Sequence, residues 1–413
     1  MNLDRRNFLA GSGLAAVGAA LPIPRPGLQK DGPAARNPNG GPGAKLAAVP
    51  FHGAHQAGIT TPAPPAGCFA AFDVTAEHRA GVIELLKVLT SRARFLTAGG
   101  KPHDLGTSAP PADSGTVGPT VPADGLTITV GVGSSLFDGR FGIHDRKPIH
   151  LTPMRPFPND NLDRAQTGGD LLLQICAGSP DVAIHALRDI AKHTRGGMQL
   201  RWRIDGFIAP PRPSGTPRNH LGFKDGIANP NVSSNLVSRA LLWVQRDGKE
   251  PDWAAGGSYH VCRIIKMFIE FWDRVSLEEQ EGMIGRKRDT GAPLDGYRED
   301  DIPNYRDDPN GLVIPLDAHI RLANPRTTAS EYSRILRRGY NYDRGVDLNG
   351  NLDMGLVFNC FQRNLQTQFE AVQKRLIGEP MIDYVSPVGG GYFFALPGVR
   401  DQSDWYARGL FSA

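Results

Sequence analysis

The chain has 413 residues, of which 40% are hydrophobic and 21% are charged, a composition typical of a globular protein with room for two or three domains. Its 46 basic and 42 acidic residues leave a formal net charge of only +4, and no basic run carries interleaved aromatic residues. This weak charge excludes a dominant polyanion-binding surface, so nucleic acid is not an expected partner. Four isolated cysteines without a Cys-x-x-Cys pair argue against zinc ribbons, iron–sulfur clusters and covalently attached haem, while a disulfide stays open.

Residues 1–23 have the layout of an export signal. Arg5 and Arg6 precede a mildly apolar stretch rich in Gly and Ala, which ends in small residues near Ala20. This order predicts a twin-arginine signal peptide; the alternative is a short amphipathic or disordered N-terminus with a chance Arg-Arg pair. Because the apolar run is shorter than the roughly 20 residues of a permanent membrane span, we expect an exported protein located in the periplasm or outside the cell.

The next residues predict a leader and a first folded unit. Residues 24–50 are Pro, Gly and Ala with few large apolar side chains, which is typical of a flexible leader. Alternating β-branched and apolar residues then predict strands at 69–74, 126–133, 170–177 and 198–207. One helix is expected after Thr75 as its cap, a second after Ser179 and Pro180, and a surface loop at 99–124. The predicted order is β-α-β-β-α-β.

The second half of the chain repeats this order. Strands are predicted at 259–271, 334–342, 354–362 and 391–398, and helices at 276–286 and 364–378. Two copies of the unit predict an α+β fold made of tandem ferredoxin-like domains with antiparallel sheets, of the dimeric α/β-barrel type. The domains are expected at 51–212 and 213–413, divided in the Pro-rich segment 210–217. One larger mixed α/β domain is the alternative.

Several common catalytic signatures are absent from the sequence. It contains no G-x-x-x-x-G-K-[ST], no G-x-S-x-G and no H-E-x-x-H. Gly131 and Gly133 lie at the end of a predicted strand, but the third glycine of a dinucleotide fingerprint is missing. A tight turn after the strand explains this pair better than a nucleotide site.

Three motifs in the second half carry candidate chemistry. GFKDGIANP (222–230) holds Asp225, LDAHIRLANPR (316–326) holds His319, and RILRRGY (334–340) holds Arg337. Taken singly, these residues are explained as a turn-capping carboxylate, a structural histidine and a solvated strand end. Taken together, they supply an imidazole for a haem iron, an acid–base group for peroxide and a cation for the departing charge.

With HQAGITTP (55–62) and RRGYNYDRG (337–345), these motifs resemble the dye-decolourising (DyP-type) haem peroxidases, in particular the exported subgroup that includes the deferrochelatase/peroxidase of bacterial iron-uptake operons. The resemblance covers nearly all of the chain after the signal. It implies one non-covalent haem b, held mainly by the second domain. It also implies hydrogen peroxide and an organic electron donor as substrates, and a ferryl intermediate. The implied catalytic base is a carboxylate, which accepts a proton only when it is ionised.

The resemblance assigns roles residue by residue. His319 is the expected iron ligand, Asp225 the distal acid–base group and Arg337 the distal cation. Six further residues are expected near the porphyrin and its propionates, with Arg326 as a forked donor to a propionate: Gly226, Ile227, Ala228, Asn324, Pro325 and Arg326. Asp383 is the expected acceptor for the Nδ1–H of His319, with Glu379 and Asp317 as alternatives.

Two other functions and several partners stay open. The protein could release iron from haem and leave the tetrapyrrole intact, or it could be a non-catalytic exported haem or iron carrier; the acid–cation pair argues against a pure carrier. Iron-uptake membrane proteins and a second copy of the chain are further candidate partners. Five aromatic residues are candidate surface electron donors, although aromatic residues are more often part of the core: Trp243, Tyr340, Tyr342, Trp405 and Tyr406.

Overall fold

The computed structural model describes residues 46–247 and 249–412. The predicted signal peptide and most of the predicted leader lie outside these residues. Residues 46–50 have no regular secondary structure and are mostly exposed. Within the described part of the chain, no helix is long and apolar enough to cross a membrane.

The first half has the predicted order of elements. α1 begins later than expected, after His78, and the Thr75 hydroxyl instead donates to the Gly196 carbonyl. Ser179 precedes α2 as expected, but its hydroxyl bonds the Asp124 carboxylate rather than the helix backbone. The elements are β1 (Ala66–Val74), α1 (Arg79–Ala98), β2 (Thr127–Gly133), β3 (Leu171–Ala177), α2 (Pro180–His193) and β4 (Met198–Phe207).

The second half departs from the prediction in several places, and the strand predicted at 391–398 spans Val385–Ala395. The strand predicted at 259–271 ends at Met267, the one predicted at 334–342 is split at Arg338 and Gly339, and the helix predicted at 364–378 starts with a π-helical turn, Leu365–Phe369. The elements are α3 (Asn235–Leu241), β5 (Ser258–Met267), α4 (Ile269–Trp272), α5 (Leu277–Ile284), α6 (His319–Ala323), α7 (Thr328–Glu331), β6 (Leu336–Arg337), β7 (Tyr340–Val346), β8 (Leu352–Gln362), α8 (Glu370–Arg375), β9 (Val385–Ala395) and α9 (Arg408–Phe411).

The strands of the two halves close into one antiparallel barrel. β9 pairs with β2, and β7 pairs with β4, so each half is hydrogen-bonded to the other at two seams. β5 pairs with both β9 and β8, which completes the order β5-β9-β2-β3-β1-β4-β7-β8. The two-residue strand β6 pairs with β8 beside this ring. Closure leaves few unpaired strand edges and confirms the predicted antiparallel α+β fold.

Strand alternation separates the barrel interior from the functional face. Phe69, Cys262 and Tyr340 belong to the apolar cluster between the facing strands, whereas α1 and α2 pack on the outer face of the first half. Successive side chains of a strand point to opposite faces. Arg263 and Ile265 of β5 therefore lie outside the barrel, on the face that long connections of the second half cover.

Cysteines and candidate electron donors are mostly buried. All four cysteines are buried and unpaired. Trp243, Tyr340, Tyr342 and Tyr406 are at most 5% exposed, and Trp405 is partly buried. These positions agree with the structural explanation of the aromatic residues.

Candidate active site

A cavity of about 270 Å³ lies on the outer face of β5 and β8. Each of the three sequence motifs contributes residues to the wall of this cavity. Its wall combines a large apolar surface with polar and charged side chains, which is typical of a site for a large organic ligand. The apolar lining includes Ile227, Ile265, Ile320, Leu356 and Phe358.

His319 borders this cavity at the first position of α6. Its Nδ1–H donates to Oε2 of Glu379 over 2.6 Å, and the Glu379 side chain is buried. Burial alone would lower the pKa of His319, but the charge of Glu379 and this hydrogen bond outweigh it and raise the pKa above its ordinary value. Nε2 has no hydrogen-bond partner among the described residues, so it is available as a metal ligand.

The prediction that Asp383 holds the Nδ1–H of His319 is wrong, since Glu379 occupies that position. Glu379 precedes the 3₁₀ turn Pro380–Asp383, and Asp383 ends it. With about three residues per turn, side chains four positions apart differ in direction by roughly a third of a turn. When Glu379 faces the imidazole, Asp383 therefore points elsewhere.

Asp225 and Arg337 form an ion pair at the cavity wall. Nη1 of Arg337 donates to Oδ1 of Asp225 over 2.8 Å, and both side chains are partly accessible. Gly226 follows with φ of 112°, a conformation that residues with a Cβ rarely adopt, so the turn that presents Asp225 requires glycine here.

Asn229 fixes Arg337 to the loop of Asp225. Its side-chain amide donates to the Arg337 carbonyl over 2.8 Å, and its Oδ1 accepts from the Arg337 N–H over 2.9 Å. The amide thus pairs with the backbone as a neighbouring strand would. The motif GFKDGIANP consequently supplies both the carboxylate and the clamp for its cationic partner.

Positive charge collects at one side of the cavity. Arg326 lines it with φ of 58°, and its buried Nε has no partner among the described residues. Burial lowers the pKa of Arg286, and the nearby charges of Arg326 and Arg337 lower it further. Buried Nε atoms without partners also occur on Arg263 and Arg334, both of which line the cavity. Such a group of guanidinium donors fits an anionic ligand.

The structure brings most of the predicted site residues together. Gly226 instead lines a neighbouring cavity, and neither Pro325 nor Asp383 is among the lining residues in the described part of the chain. The predicted residues that do line the cavity are Asp225, Ile227, Ala228, His319, Asn324, Arg326 and Arg337.

Sequence reasoning missed other lining or supporting residues. Asn229 lies inside a recognised motif, and its position before a proline was the available signal. In the sequence, nothing apart from their charge indicated that Arg263 and Arg286 line the cavity. Arg263 is 1% exposed and forms a buried ion pair with Asp160, from the first half of the chain.

A second cavity, of about 380 Å³, reaches the Asp225–Arg337 pair from another side. It lies between residues 59–63, 207–209 and 216–219. Asn219, Asp225, Arg337 and Leu356 line both cavities. The acid–cation pair therefore stands at the boundary between the two.

This arrangement defines a class of site. A free imidazole nitrogen, an acid–cation pair, apolar side chains and the unpaired guanidinium of Arg326 all border one cavity. A metal porphyrin with carboxylate substituents has the complementary chemistry, so the residues present fit a haem.

Comparison with known proteins places the chain in a family of this class. The family model "Dyp-type peroxidase, N-terminal" matches residues 56–208, and "Dyp-type peroxidase, C-terminal" matches residues 216–400. The chain is similar to a deferrochelatase of Yersinia pestis (50% identity, covering 88% of this chain and 85% of the relative) and to one of Escherichia coli K12 (48% identity, covering 98% and 96%).

Solved structures agree with this placement. A DyP-type peroxidase from Cellulomonas bogoriensis matches with a TM-score of 0.80 at 36% identity, covering 89% of this chain and 99% of that one. Ferric DtpA from Streptomyces lividans matches with a TM-score of 0.80 at 33% identity, covering 89% and 97%. The chain belongs to the Dyp-type peroxidase family, and it is a haem-dependent enzyme.

Proposed function

We propose that the protein uses hydrogen peroxide to oxidise dyes, phenols or other organic donors, with one non-covalent haem b per chain in the cavity of His319. The observation that carries this proposal is that the Nε2 of His319, without a protein partner, and the Asp225–Arg337 ion pair border the same cavity. A haem bound there supplies an iron at which peroxide is activated.

The residues on the His319 side control the iron ligand. Nε2 of His319 holds the metal, while Glu379 keeps the proton on Nδ1 and fixes the direction of the ring. A buried carboxylate on this hydrogen bond makes the imidazole a stronger electron donor, which stabilises higher oxidation states of a bound metal. Arg326 binds a propionate with its unpaired guanidinium.

The residues on the other side handle protons and charge. The Asp225 carboxylate takes a proton from one oxygen of peroxide and delivers it to the other, which leaves as water. Arg337 stabilises the negative charge that develops as the oxygen–oxygen bond breaks. The second cavity borders both residues, so it offers a route by which peroxide and water reach them.

Removal of iron from haem is the second candidate function. Relatives that are 48–50% identical carry the name deferrochelatase. For this activity the same cavity would hold haem as substrate and would retain the iron-free tetrapyrrole. A carrier function receives less support, because binding alone has no use for an acid–cation pair.

Export and partners are proposed from the sequence. The arginine pair and apolar stretch at the N-terminus support export by the twin-arginine pathway to the periplasm or the cell exterior. An iron-uptake membrane protein and a second copy of the chain are the proposed protein partners, to be tested by cross-linking and by measurement of the mass in solution.

The test is an absorption spectrum of the haem-loaded protein before and after one equivalent of peroxide. We expect a rapid change in the haem spectrum that an organic donor reverses. His319→Ala should lose haem, whereas Asp225→Asn should keep haem and react with peroxide about 10²–10⁴-fold more slowly. An unchanged spectrum in the haem-loaded protein would refute the peroxidase proposal. Free iron and intact porphyrin, formed without oxidation of a donor, would favour the second candidate.

A further inference from the structure

Methionines concentrate beside the cavity of His319. The chain has seven methionines, and four of them belong to, or pack against, one apolar cluster on the outer face of β5 and β8: Met267, Met283, Met354 and Met381. Only Met267 and Met381 of this group line the cavity. The cluster therefore contains two thioethers that line the cavity and two that do not.

The fold gives the two lining methionines a restricted access route. Met267 ends β5, where it is paired with Met354 of β8 and Val385 of β9. Met381 lies on the 3₁₀ turn two residues after Glu379. Their exposures are 3% and 4%, so both thioethers are shielded from bulk solvent, and both belong to the wall of the cavity.

Thioethers are readily oxidised by peroxide. The cavity is also the place where, on the proposed function, peroxide is activated. We propose that Met267 and Met381 are modification sites, at which peroxide delivered to the cavity converts methionine to methionine sulfoxide. This inference rests on the proposed peroxidase function.

The reaction is balanced without a further reagent. One peroxide oxygen is transferred to sulfur, so an S–O bond forms and the O–O bond breaks. The thioether sulfur loses two electrons, and the second peroxide oxygen leaves as water with both protons. The product carries a polar S–O group in an apolar wall, where a polar group without a partner is unfavourable. Each modification therefore loosens the cavity and limits the number of turnovers.

The experiment exposes the haem-loaded protein to peroxide without an organic donor and locates sulfoxides by peptide mass spectrometry. Met154 and Met198 serve as controls in the same chain, because neither lines the cavity and Met154 is the more exposed of the two. Protein loaded with zinc protoporphyrin is the second control, since it fills the cavity without peroxide chemistry. We expect sulfoxide at Met267 and Met381 ahead of Met154 in the haem form, and no such preference in the zinc form.

Two variants then test the consequence. The double variant Met267→Leu and Met381→Leu should complete several-fold more turnovers before losing half of its own initial rate. Met283→Leu, which changes the same cluster at a residue that does not line the cavity, should behave as the unmodified protein. Equal protection by Met283→Leu would overturn the inference in favour of general stabilisation.

The outcomes distinguish failure of this inference from failure of the proposed peroxidase function. A normal spectral response to peroxide with unmodified Met267 and Met381, or with the same sulfoxide pattern in haem and zinc forms, refutes the inference and leaves the peroxidase proposal standing. An absent spectral response refutes both.

Discussion

The side chain of Asn229 forms two hydrogen bonds with the backbone of Arg337, one in each direction, over 2.8 and 2.9 Å. It thereby joins the loop of Asp225 to β6, the strand that carries the cationic partner. Asp225 and Arg337 lie 112 positions apart in the chain. Asn229 holds them in contact, although it bonds neither the carboxylate of Asp225 nor the guanidinium of Arg337.

This contact yields a first prediction. Asn229→Ala leaves a backbone N–H and carbonyl of Arg337 without partners and should lower the free energy of unfolding by about 1–3 kcal/mol. It should also slow the reaction with peroxide while haem affinity stays nearly constant, because Arg337 loses its position. Stopped-flow absorption and haem titration measure the two effects. Asn231→Ala is the control, since the Asn231 side chain accepts only from the N–H of Ser233 among the described residues; an equal loss of rate there would contradict the clamp.

Glu379 and Asp383 provide a matched pair of acidic residues on one turn. Glu379→Gln removes the negative charge from the hydrogen bond to His319 and should weaken haem binding about tenfold or more. It should also raise the reduction potential of the iron, because the imidazole becomes a weaker donor. Asp383→Asn should change neither quantity. Spectroelectrochemical titration of both variants checks this, and a shift confined to Asp383→Asn would restore the assignment made from the sequence.

The unpaired guanidinium of Arg326 should recognise a porphyrin carboxylate. Arg326→Ala should weaken the binding of haem roughly tenfold or more, as expected for loss of a hydrogen bond to a charged group. Haem dimethyl ester, which lacks the charges, should bind the variant and the unmodified protein equally. Arg344→Ala, which removes an arginine already paired with Asp353, serves as the control. Equal weakening for haem and its ester would show that Arg326 acts by packing.

Acid should destabilise the barrel through His260. Its ring is buried, stacks on Phe361 and bonds Oδ1 of Asn359 over 2.9 Å. Burial lowers the pKa of His260 from 6.5 to about 4, aided by the charge of Arg338 and opposed by the bond to Asn359. Because the folded pKa lies below the unfolded one, the unfolded state takes up the proton first, and stability falls as the pH drops from about 6.5 towards 4.

The expected loss is about 2 kcal/mol between pH 7 and pH 5. His260→Gln should remove this slope, whatever its effect at pH 7, whereas the exposed His78→Gln should retain it. Urea unfolding at the two pH values measures the difference. An unchanged slope in His260→Gln would assign the acid sensitivity to other groups.

Much of the fold could be predicted from local patterns. The alternation of apolar residues located all of the long strands, and the repeated order β-α-β-β-α-β indicated two related halves. The strand pairings that close the barrel could not be derived from these local patterns, because β9 with β2 and β7 with β4 join segments far apart in sequence. The break at Gly339 was also hidden, since both sides of it have strand-forming residues.

The candidate site was predictable where a motif carried the chemistry. Asp225, His319 and Arg337 stood out because their residue types match a single chemical requirement, and the structure brings all three to one cavity. Glu379 could not be separated from Asp383 by sequence alone, because the choice depends on the rotation of one short turn. The position of Arg263 at the cavity could not be predicted either, because its burial depends on an ion pair with Asp160 in the other half of the chain.

The short strand β6 has a further consequence for how the enzyme tolerates change. Arg337 meets Asp225, while the next residue, Arg338, donates to the Thr61 carbonyl on the other face of the strand, next to Cys176 and His260. The two arginine side chains thus have different partners only because they point to opposite faces of β6. Inserting or deleting one residue between Ile335 and Tyr340 would turn the wrong guanidinium towards each face, although the local composition would be almost unchanged. The placement of these two guanidinium groups therefore depends on the number of residues in the segment as strictly as on their identity.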